Sequence, residues 1–270
     1  MSHLLREHAP ITEAGWQRID DEARERLLPG LAGRRLLDFS GPHGWEHSAT
    51  NFGRVDQTDV SAIDGVEANR RVVLPLVELR ARFTVSREEL RAGDRGAEDV
   101  DFDALDAAAQ RIVEAENLAV FHSWPKAEIA GITECSPHNA IESEGSVESY
   151  PRHVARAVEL LLRKGIAGPY GLALGREEYT RVVESAEHGG YPLLDHLRKI
   201  LEGPIVWAPG VNGAIVLSMR GGDFSFESGQ DLSVGYESHD SDVVTLYLEE
   251  SFSFRVLTPE AAVAISTLES

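Results

Sequence analysis

The chain has 270 residues, enough for one large domain or two smaller ones, and it carries a formal net charge of −19. This acidic balance argues against a protein that binds nucleic acid or an anionic membrane surface. The single cysteine, Cys135, excludes an intrachain disulfide and favours a reducing compartment. We find no apolar signal segment at the start and no run of about 18 apolar residues, so we expect a cytoplasmic protein without a membrane span.

The N-terminal part of the chain predicts a helix and then a long loop. Thr12 can cap an amphipathic helix over 12–28, because apolar residues recur there at helical spacing. A short strand is expected at 36–39. Residues 45–73 are polar and have no helical period, so we predict an extended hairpin loop.

The next segment predicts a strand, a short helix and a long helix. Residues 74–85 alternate between apolar and polar side chains, which is typical of a strand with one buried face. Ser86 can cap the short helix, with Glu89 at the capping-box position. Asp101 or Asp103 caps the long helix, and we interpret the acidic run around them as favourable helix N-terminal charge rather than as a metal site.

The middle of the chain, residues 135–218, predicts a compact α/β insertion, because short helices and strands alternate here. A loop is expected over 131–145. The helices are predicted at 151–164, 177–185 and 192–203, and the strands at 170–174, 205–208 and 214–217.

Residues 220–256 predict the platform of the molecule. They alternate strictly, which indicates antiparallel strands with one face towards a core and the other towards water or a neighbour. Glu250 breaks the alternation because it falls on the apolar face, where a charge is costly unless it is paired. We predict that an arginine pairs with Glu250, either Arg80, Arg82 or one from a neighbouring chain. Arg80 and Arg82 can also face Glu249 across the strands.

Motifs for catalysis or metal binding are weak. The chain has no glycine-rich phosphate loop and no G-x-S-x-G elbow. His43 and His47 are four residues apart, but neighbouring glycine and proline disfavour the helix that such a metal site needs. His239 beside Asp240 is expected in an exposed turn, and Cys135 is expected to be a small, partly buried side chain. We therefore expect a protein that is not an enzyme and has no catalytic residue, metal site or cofactor.

Several short motifs, in this order and spacing, resemble the encapsulin shell proteins, the linocin-like bacterial nanocompartment family. The resemblance covers almost the whole chain. Its most specific pieces are Ala9-Pro10 with Thr12, Trp16, Ile19 and Asp20; Gly33-Arg34-Arg35 with Asp38; and residues 41–46, 75–80, 168–170, 190–193, 220–224 and 229–236.

The resemblance implies an α+β fold of the tailed-phage capsid (HK97-like) type, with a peripheral domain, an axial domain and an extended loop. The implied segments are 1–44, 74–134 and 220–257 for the peripheral domain, 45–73 for the extended loop, and 135–219 and 258–270 for the axial domain.

The resemblance also implies a structural function. Copies of the chain would close into an icosahedral shell around a cargo enzyme, a dye-decolourising peroxidase or a ferritin-like iron protein. A C-terminal targeting peptide of the cargo would dock on the inner wall, in a groove between the N-terminal helix and the platform strands. The implied docking residues are Leu4, Leu5, Pro10, Ile11, Asp38, Asp231, Leu232 and Tyr236.

A pore for small molecules and ions is implied at the five-fold axis. Its residues on this chain are Glu187, His188, Gly189, Gly190 and Tyr191. Five copies of Glu187 and His188 would form a ring whose charge depends on pH. Some relatives bind flavin through an aromatic residue after the strand at Pro75, but residues 86–90 contain none, so we predict no flavin.

Two other functions remain open from the sequence. A phage or prophage major capsid protein would have the same fold, although the acidic balance counts against wrapping packaged DNA. An independent hydrolase would need Cys135 or a serine as its nucleophile.

Overall fold

A computed structural model describes residues 2–57, 63, 65–143, 149–185 and 192–267, in which helices combine with two mixed β-sheets. The helices are α1 (Glu13–Leu27), α2 (Gly33–Leu36), α3 (Arg87–Asp94), α4 (Asp103–Asn117), α5 (Ile132–Cys135), α6 (Tyr150–Arg163), α7 (Arg176–Glu184) and α8 (Leu193–Leu201). The strands are β1 (Asp38–Ser40), β2 (Ala49–Gln57), β3 (Asn69–Pro75), β4 (Val77–Ser86), β5 (Ser123–Trp124), β6 (Ile129–Ala130), β7 (Ile141–Ser143), β8 (Tyr170–Leu174), β9 (Ile205–Trp207), β10 (Ala214–Ser218), β11 (Phe224–Ser228), β12 (Ser233–His239), β13 (Val243–Val256) and β14 (Ala262–Thr267). Within these ranges we find no helix that is long and apolar enough to cross a membrane.

The first sheet is built around β13, the 14-residue strand predicted from the alternation at 220–256. One side of β13 pairs with β4, and the other side pairs with β12 and then β11, so that β11 and β12 lie end to end. All these pairings are antiparallel, and β1 adds a parallel pairing to β11.

The second sheet has the order β7-β14-β10-β8-β9. Strands β8 and β10 are buried along their whole length, because α6 and α8 pack in this region. Strand β14 comes from the C-terminal end of the described chain and pairs with both β7 and β10. The chain thus passes from the first sheet to the second, returns to the first, and ends in the second.

Helices α1 and α4 pack against each other beside the first sheet. As predicted, Thr12 caps α1, and its side-chain oxygen accepts a hydrogen bond from the Gly15 N–H at 3.0 Å. The predicted apolar stripe of α1 is buried, with Ile19 fully inaccessible. The long helix is also confirmed, but the predicted cap was wrong: the N-cap residue is Phe102, which makes no side-chain capping bond, and Asp101 Oδ1 accepts from the Asp103 N–H at 3.0 Å. The helix continues beyond α4 as a π-helical turn, Leu118–His122.

The predicted extended loop is a hairpin of β2 and β3, paired in antiparallel register from Ala49↔Pro75 to Gln57↔Asn69. Most of its side chains are exposed, including Phe52, Val55 and Val73. The hairpin therefore projects apolar side chains without a core of its own.

The alternation at 220–256 predicted a second face towards water or a neighbour, but within this one chain that face is already buried over most of β13. Tyr247 and Glu249 are 3% exposed, Ser251 is 5% exposed and Ser253 is 2% exposed, although all four occupy the polar face. The N-terminal segment and the base of the hairpin pack on this face. His3 lies 2.7 Å from Glu249, and the Thr50 hydroxyl lies 2.6 Å from the Ser253 hydroxyl. Glu249, Ser251 and Ser253 on this face are thus buried beside polar groups.

Three local predictions need correction. The strand expected at 36–39 begins only at Asp38, because α2 runs to Leu36. Glu89 does not complete a capping box; its carboxylate accepts from the Asp101 N–H at 3.0 Å, while Ser86 caps α3 as predicted. The segment expected as a loop at 131–145 contains α5 and β7.

Candidate functional site

A cleft of about 340 Å³ lies between α1, the N-terminal segment and the end-to-end junction of β11 and β12. Its lining is amphipathic: eight of the lining residues are aliphatic, five are charged and one is a serine. The lining residues are Leu4, Arg6, Asp20, Ala23, Arg24, Leu27, Leu28, Leu31, Arg34, Asp231, Leu232, Ser233, Val234 and Leu248. We call this cleft the groove.

The irregular connection between β11 and β12, residues 229–232, forms one wall of the groove, and we call it the bulge. The register beside β13 ends at Ser228↔Phe252 and resumes at Ser233↔Glu249, so residues 229–232 face only two residues of β13. Extra residues in one strand bend it and re-aim its side chains. Asp231 and Leu232 belong to this bulge, which places both of them in the groove lining.

Helix α1 forms the opposite wall. Ala23 and Leu27 are buried on its inner face, whereas Leu28, its C-cap residue, is 59% exposed. An exposed leucine that borders an apolar groove is available for contact with a ligand.

The N-terminal segment closes one end of the groove. The Leu4 carbonyl accepts a hydrogen bond from the Tyr236 N–H of β12 at 2.9 Å. Arg6 donates to Asp20 at 2.7 Å, and its guanidinium lies 4.0 Å from the centre of the Trp16 ring. These contacts hold the segment against both α1 and β12.

The floor of the groove carries a buried charge cluster around Arg34. Its guanidinium donates to Glu116 at 3.0 Å, to Glu250 at 2.7 Å and to Asp231 at 2.5 Å. Burial alone lowers the pKa of Arg34, but Glu116, Glu250 and Asp231 outweigh it, and the pKa lies above its ordinary value. Arg34 therefore carries a positive charge in the cluster.

This cluster confirms that an arginine pairs with Glu250, but the predicted partners were wrong. Arg34 is the partner, whereas Arg80 donates to Glu249 at 2.7 Å and Arg82 donates to Glu237 at 2.6 Å. The register explains the outcome, because Arg80 lies directly opposite Glu249 and the residue opposite Glu250 is Leu79.

The structure brings together some of the predicted docking residues. Leu4, Asp231 and Leu232 line the groove, and Tyr236 adjoins it through its hydrogen bond to Leu4. The other four predicted residues lie outside the lining. Leu5 is exposed with a left-handed φ of 52°, Pro10 is exposed, Ile11 packs against the helix start near Gly15, and Asp38 accepts a hydrogen bond from the Gly222 N–H at 2.6 Å.

Sequence reasoning missed Leu28, Leu31 and Arg34 as groove residues. Leu28 could have been predicted from the sequence, because this apolar residue falls outside the helical spacing of the buried residues Ile19, Ala23 and Leu27. Arg34 gave no such signal, since nothing local connects it to Glu250, 216 residues away.

The predicted pore residues Glu187, His188, Gly189, Gly190 and Tyr191 lie outside the described residues. The pore stays a prediction.

Comparison with known proteins identifies close relatives along the whole chain. A family model described as encapsulating protein for peroxidase matches residues 1–253. A type 1 encapsulin shell protein of Rhodospirillum rubrum is 43% identical, covering 99% of this chain and 98% of the relative. One from Brevibacterium linens is 42% identical, covering 98% and 100%. A ferritin-like-encapsulin shell fusion protein of Pyrococcus furiosus is 23% identical and matches 75% of this chain and 56% of its own length.

Solved structures confirm the predicted fold class. A virus-like particle from Pyrococcus furiosus superposes with a TM-score of 0.63 at 19% identity, covering 93% of this chain and 99% of that one. A Mycobacterium phage Ogopogo chain superposes with a TM-score of 0.56 at 14% identity, covering 89% and 92%. The α+β architecture described above is thus the phage-capsid fold.

Proposed function

This chain belongs to the encapsulin shell proteins, and from this membership we propose that its copies close into an icosahedral compartment that captures a cargo enzyme by its C-terminal peptide. A capsid-like nanocompartment is the function of the family, and the match over residues 1–253 carries that conclusion. The icosahedral geometry, the cargo and its mode of capture are our proposals.

The groove supports the proposed capture of a peptide. Its aliphatic walls can bury a few aliphatic side chains of an extended segment, as other grooves between a helix and a sheet do. The salt bridges Arg6–Asp20 and Arg34–Asp231 supply charge near the bound segment. We propose that Leu4, Asp231, Leu232 and Tyr236 belong to this docking site together with Leu28.

The proposed cargo is a dye-decolourising peroxidase or a ferritin-like iron protein. The family description names a peroxidase, and the fused relative from Pyrococcus furiosus is named for a ferritin-like protein. We further propose that the compartment assembles in the cytoplasm, which agrees with the single cysteine of the chain.

We propose the domain boundaries that the resemblance implies: residues 1–44, 74–134 and 220–257 for the peripheral domain, 45–73 for the extended loop, and 135–219 and 258–270 for the axial domain. The sheet topology supports them, because β11–β13 rejoin the first sheet after the insertion and β14 joins the second. Residues 258–270 would then complete the axial domain.

A capture experiment tests the docking site. The C-terminal peptide of a peroxidase or ferritin-like protein whose gene lies beside that of this chain is fused to a fluorescent protein and co-expressed with the shell. Leu28→Glu should reduce the fluorescent protein per particle by about tenfold or more, because the buried contact of one leucine contributes about 1.5–3 kcal/mol. The measurement is fluorescence per purified particle after size-exclusion chromatography.

Leu162→Glu is the matched control. Leu162 is 58% exposed, close to the 59% of Leu28, but it lies on α6 beside the second sheet. Particles of this variant should retain the parent's load. Equal loading of the Leu28→Glu and parent particles would contradict the proposed site, and the failure of the parent chain to form particles would contradict the shell.

The alternative functions receive less support. Phage capsid chains share the fold at 14% identity or similar values, whereas shell proteins share more than 40% identity over nearly the whole chain. For a cysteine hydrolase, burial and then Glu134 raise the pKa of the Cys135 thiol, which is opposite to the activation that a nucleophile needs. We therefore treat the chain as a structural protein rather than an enzyme.

A further inference from the structure

Two buried glutamates meet one arginine beneath the groove. Glu116 comes from α4 and is completely inaccessible, and Glu250 comes from β13 and is 2% exposed. Each directs its Oε2 atom to the guanidinium of Arg34. The rings of Phe39 and Phe226 lie 5.3 Å and 5.8 Å from the guanidinium carbon, so that aromatic surface closes the cluster.

The other oxygen of each glutamate has no donor. Among the described residues, no N–H or O–H group donates to Oε1 of Glu116 or to Oε1 of Glu250. Arg34 also neutralises part of the charge of Asp231, whose side chain is 44% exposed. One positive charge therefore serves three carboxyl groups, two of them without access to water, and a buried charge without compensation is strongly unfavourable.

We propose that Glu116 and Glu250 share one proton and that this proton-binding site holds Arg34 and Asp231 in place beneath the groove. A proton on one carboxyl group turns it into a donor for the free oxygen of the other. The cluster then contains one buried carboxylate for one guanidinium, and both free oxygens gain a partner. The proposal rests on the geometry of this cluster, and its link to cargo capture rests on the proposed function.

The electrostatics of the cluster agree with the shared proton. Burial and then the charge of Glu116 raise the pKa of Glu250 well above its ordinary value, and the opposing effect of Arg34 is smaller. Charged groups on neighbouring elements interact with partners outside the cluster. Asp20 pairs with Arg6, Glu114 with Arg176, Glu227 with His47, and Glu249 with Arg80 and His3, and Arg111 donates to the Arg82 carbonyl. Across the strand, Leu79 faces Glu250 without a charge.

The shared proton makes the site sensitive to alkaline pH. A carboxyl group with a raised pKa in the folded state binds a proton that the unfolded chain has already lost, so the stabilisation is present at low pH and declines as the pH rises through the folded pKa. Loss of the proton leaves two buried carboxylates on Arg34. Arg34 connects this pair to Asp231, whose Oδ1 also accepts the Leu232 N–H of the bulge at 2.8 Å. The bulge should therefore loosen when the proton leaves.

Infrared spectroscopy of the assembled protein tests the proton directly. At neutral pH the parent should show the C=O stretch of a protonated carboxylic acid, and this band should disappear on alkaline titration. Glu250→Gln and, separately, Glu116→Gln should abolish the band, because each substitution leaves one carboxylate and supplies an amide donor in place of the proton. Having both variants protects the test against one that fails to fold.

Glu249→Gln is the matched control: Glu249 is equally buried in the same strand and its Oε1 also has no hydrogen-bond donor, but it has a cation of its own, Arg80, at 2.7 Å, and the His3 imidazole lies 2.7 Å from its Oε1. This control should retain the band. A parent without the band, or a band that persists in both Glu250→Gln and Glu116→Gln, would overturn the proposal.

Hydrogen exchange tests the link to the groove. After correction for base catalysis, peptides spanning 229–234 should lose protection in the parent at alkaline pH, and Glu250→Gln should keep its protection over the same range. Equal loss in both proteins would refute the link. These readings do not require cargo, so a failed capture experiment and a failed proton site can be told apart.

Discussion

At the residue scale, the charge network of Arg34 is the most demanding feature of the molecule. A largely buried arginine with two buried carboxyl groups is stabilising only if these groups are satisfied, because Glu116 and Glu250 have lost their hydration. Arg34 connects α2, α4, the bulge and β13 through three carboxyl groups. Removal of the guanidinium should therefore cost far more than loss of a surface ion pair.

We predict that Arg34→Met lowers the free energy of unfolding by about 3–5 kcal/mol, because it leaves the buried negative charge of Glu116 and Glu250 without its cation. Thermal unfolding followed by tryptophan fluorescence measures the change. Arg35→Met is the control, since Arg35 is the next residue and is exposed. If the two variants unfold at the same temperature, the cluster does not stabilise the fold as described.

At the element scale, α1 depends on its first turn as well as on its buried stripe. Thr12 accepts from the Gly15 N–H and donates its own hydroxyl to Asp94 at 2.8 Å, so the cap also joins α1 to the end of α3. Arg18 of α1 donates to the same carboxylate at 2.6 Å. These bonds lower the pKa of Asp94, with the Thr12 hydroxyl as the largest cause. The start of α1, the helix that forms one wall of the groove, is thus fixed by Thr12 and by Arg18.

We expect Thr12→Ala to destabilise the start of α1 by about 1 kcal/mol, the usual cost of losing an N-cap side chain. Hydrogen exchange in the first turn of α1 should accelerate by about fivefold. Thr12→Ser keeps the hydroxyl and should exchange like the parent. An unchanged exchange rate in Thr12→Ala would show that the cap contributes nothing to the helix.

At the scale of the whole molecule, the hairpin of β2 and β3 exposes apolar side chains that this single chain does not cover. Val55 is 55% exposed, Val73 is 46% exposed and Phe52 is 39% exposed, and an isolated two-stranded hairpin is at best marginally stable in water. A neighbouring copy that covers these side chains would supply the missing core. Membership of the encapsulin shell proteins agrees with a contact between copies.

Val55→Glu should impair assembly and leave the subunit folded, because a charge would be buried against the neighbouring copy. Size-exclusion chromatography and negative-stain microscopy measure the particles, and circular dichroism measures the fold. Gln57→Glu adds the same charge at a polar position of the same strand and should assemble normally. Normal particles from Val55→Glu would mean that this face of the hairpin is not covered.

Much of the architecture was predictable because it depends on the pattern of apolar and polar residues within each short segment. Period-2 alternation located β4 and β13, helical spacing located α1 and α4, the Thr12 cap marked the start of α1, and Pro or Gly residues marked the limits of α6 and α8. The hairpin at 45–73 followed from the absence of any period. For the docking site, the sequence led to Leu4, Asp231 and Leu232 through a family resemblance, and the pattern of α1 could have added Leu28.

The sequence by itself therefore determined the long helices and strands, the capsid-type resemblance and the need of Glu250 for an arginine. Only the tertiary structure decided which arginine, because Arg34 reaches Glu250 through the packing of α2 and α4 on the sheet rather than through strand register. The tertiary structure also decided that both faces of β13 are buried. Alternation records which side chains are polar, but burial of the polar face depends on what packs there, and here that is His3 and the base of the hairpin, which are far away in the sequence.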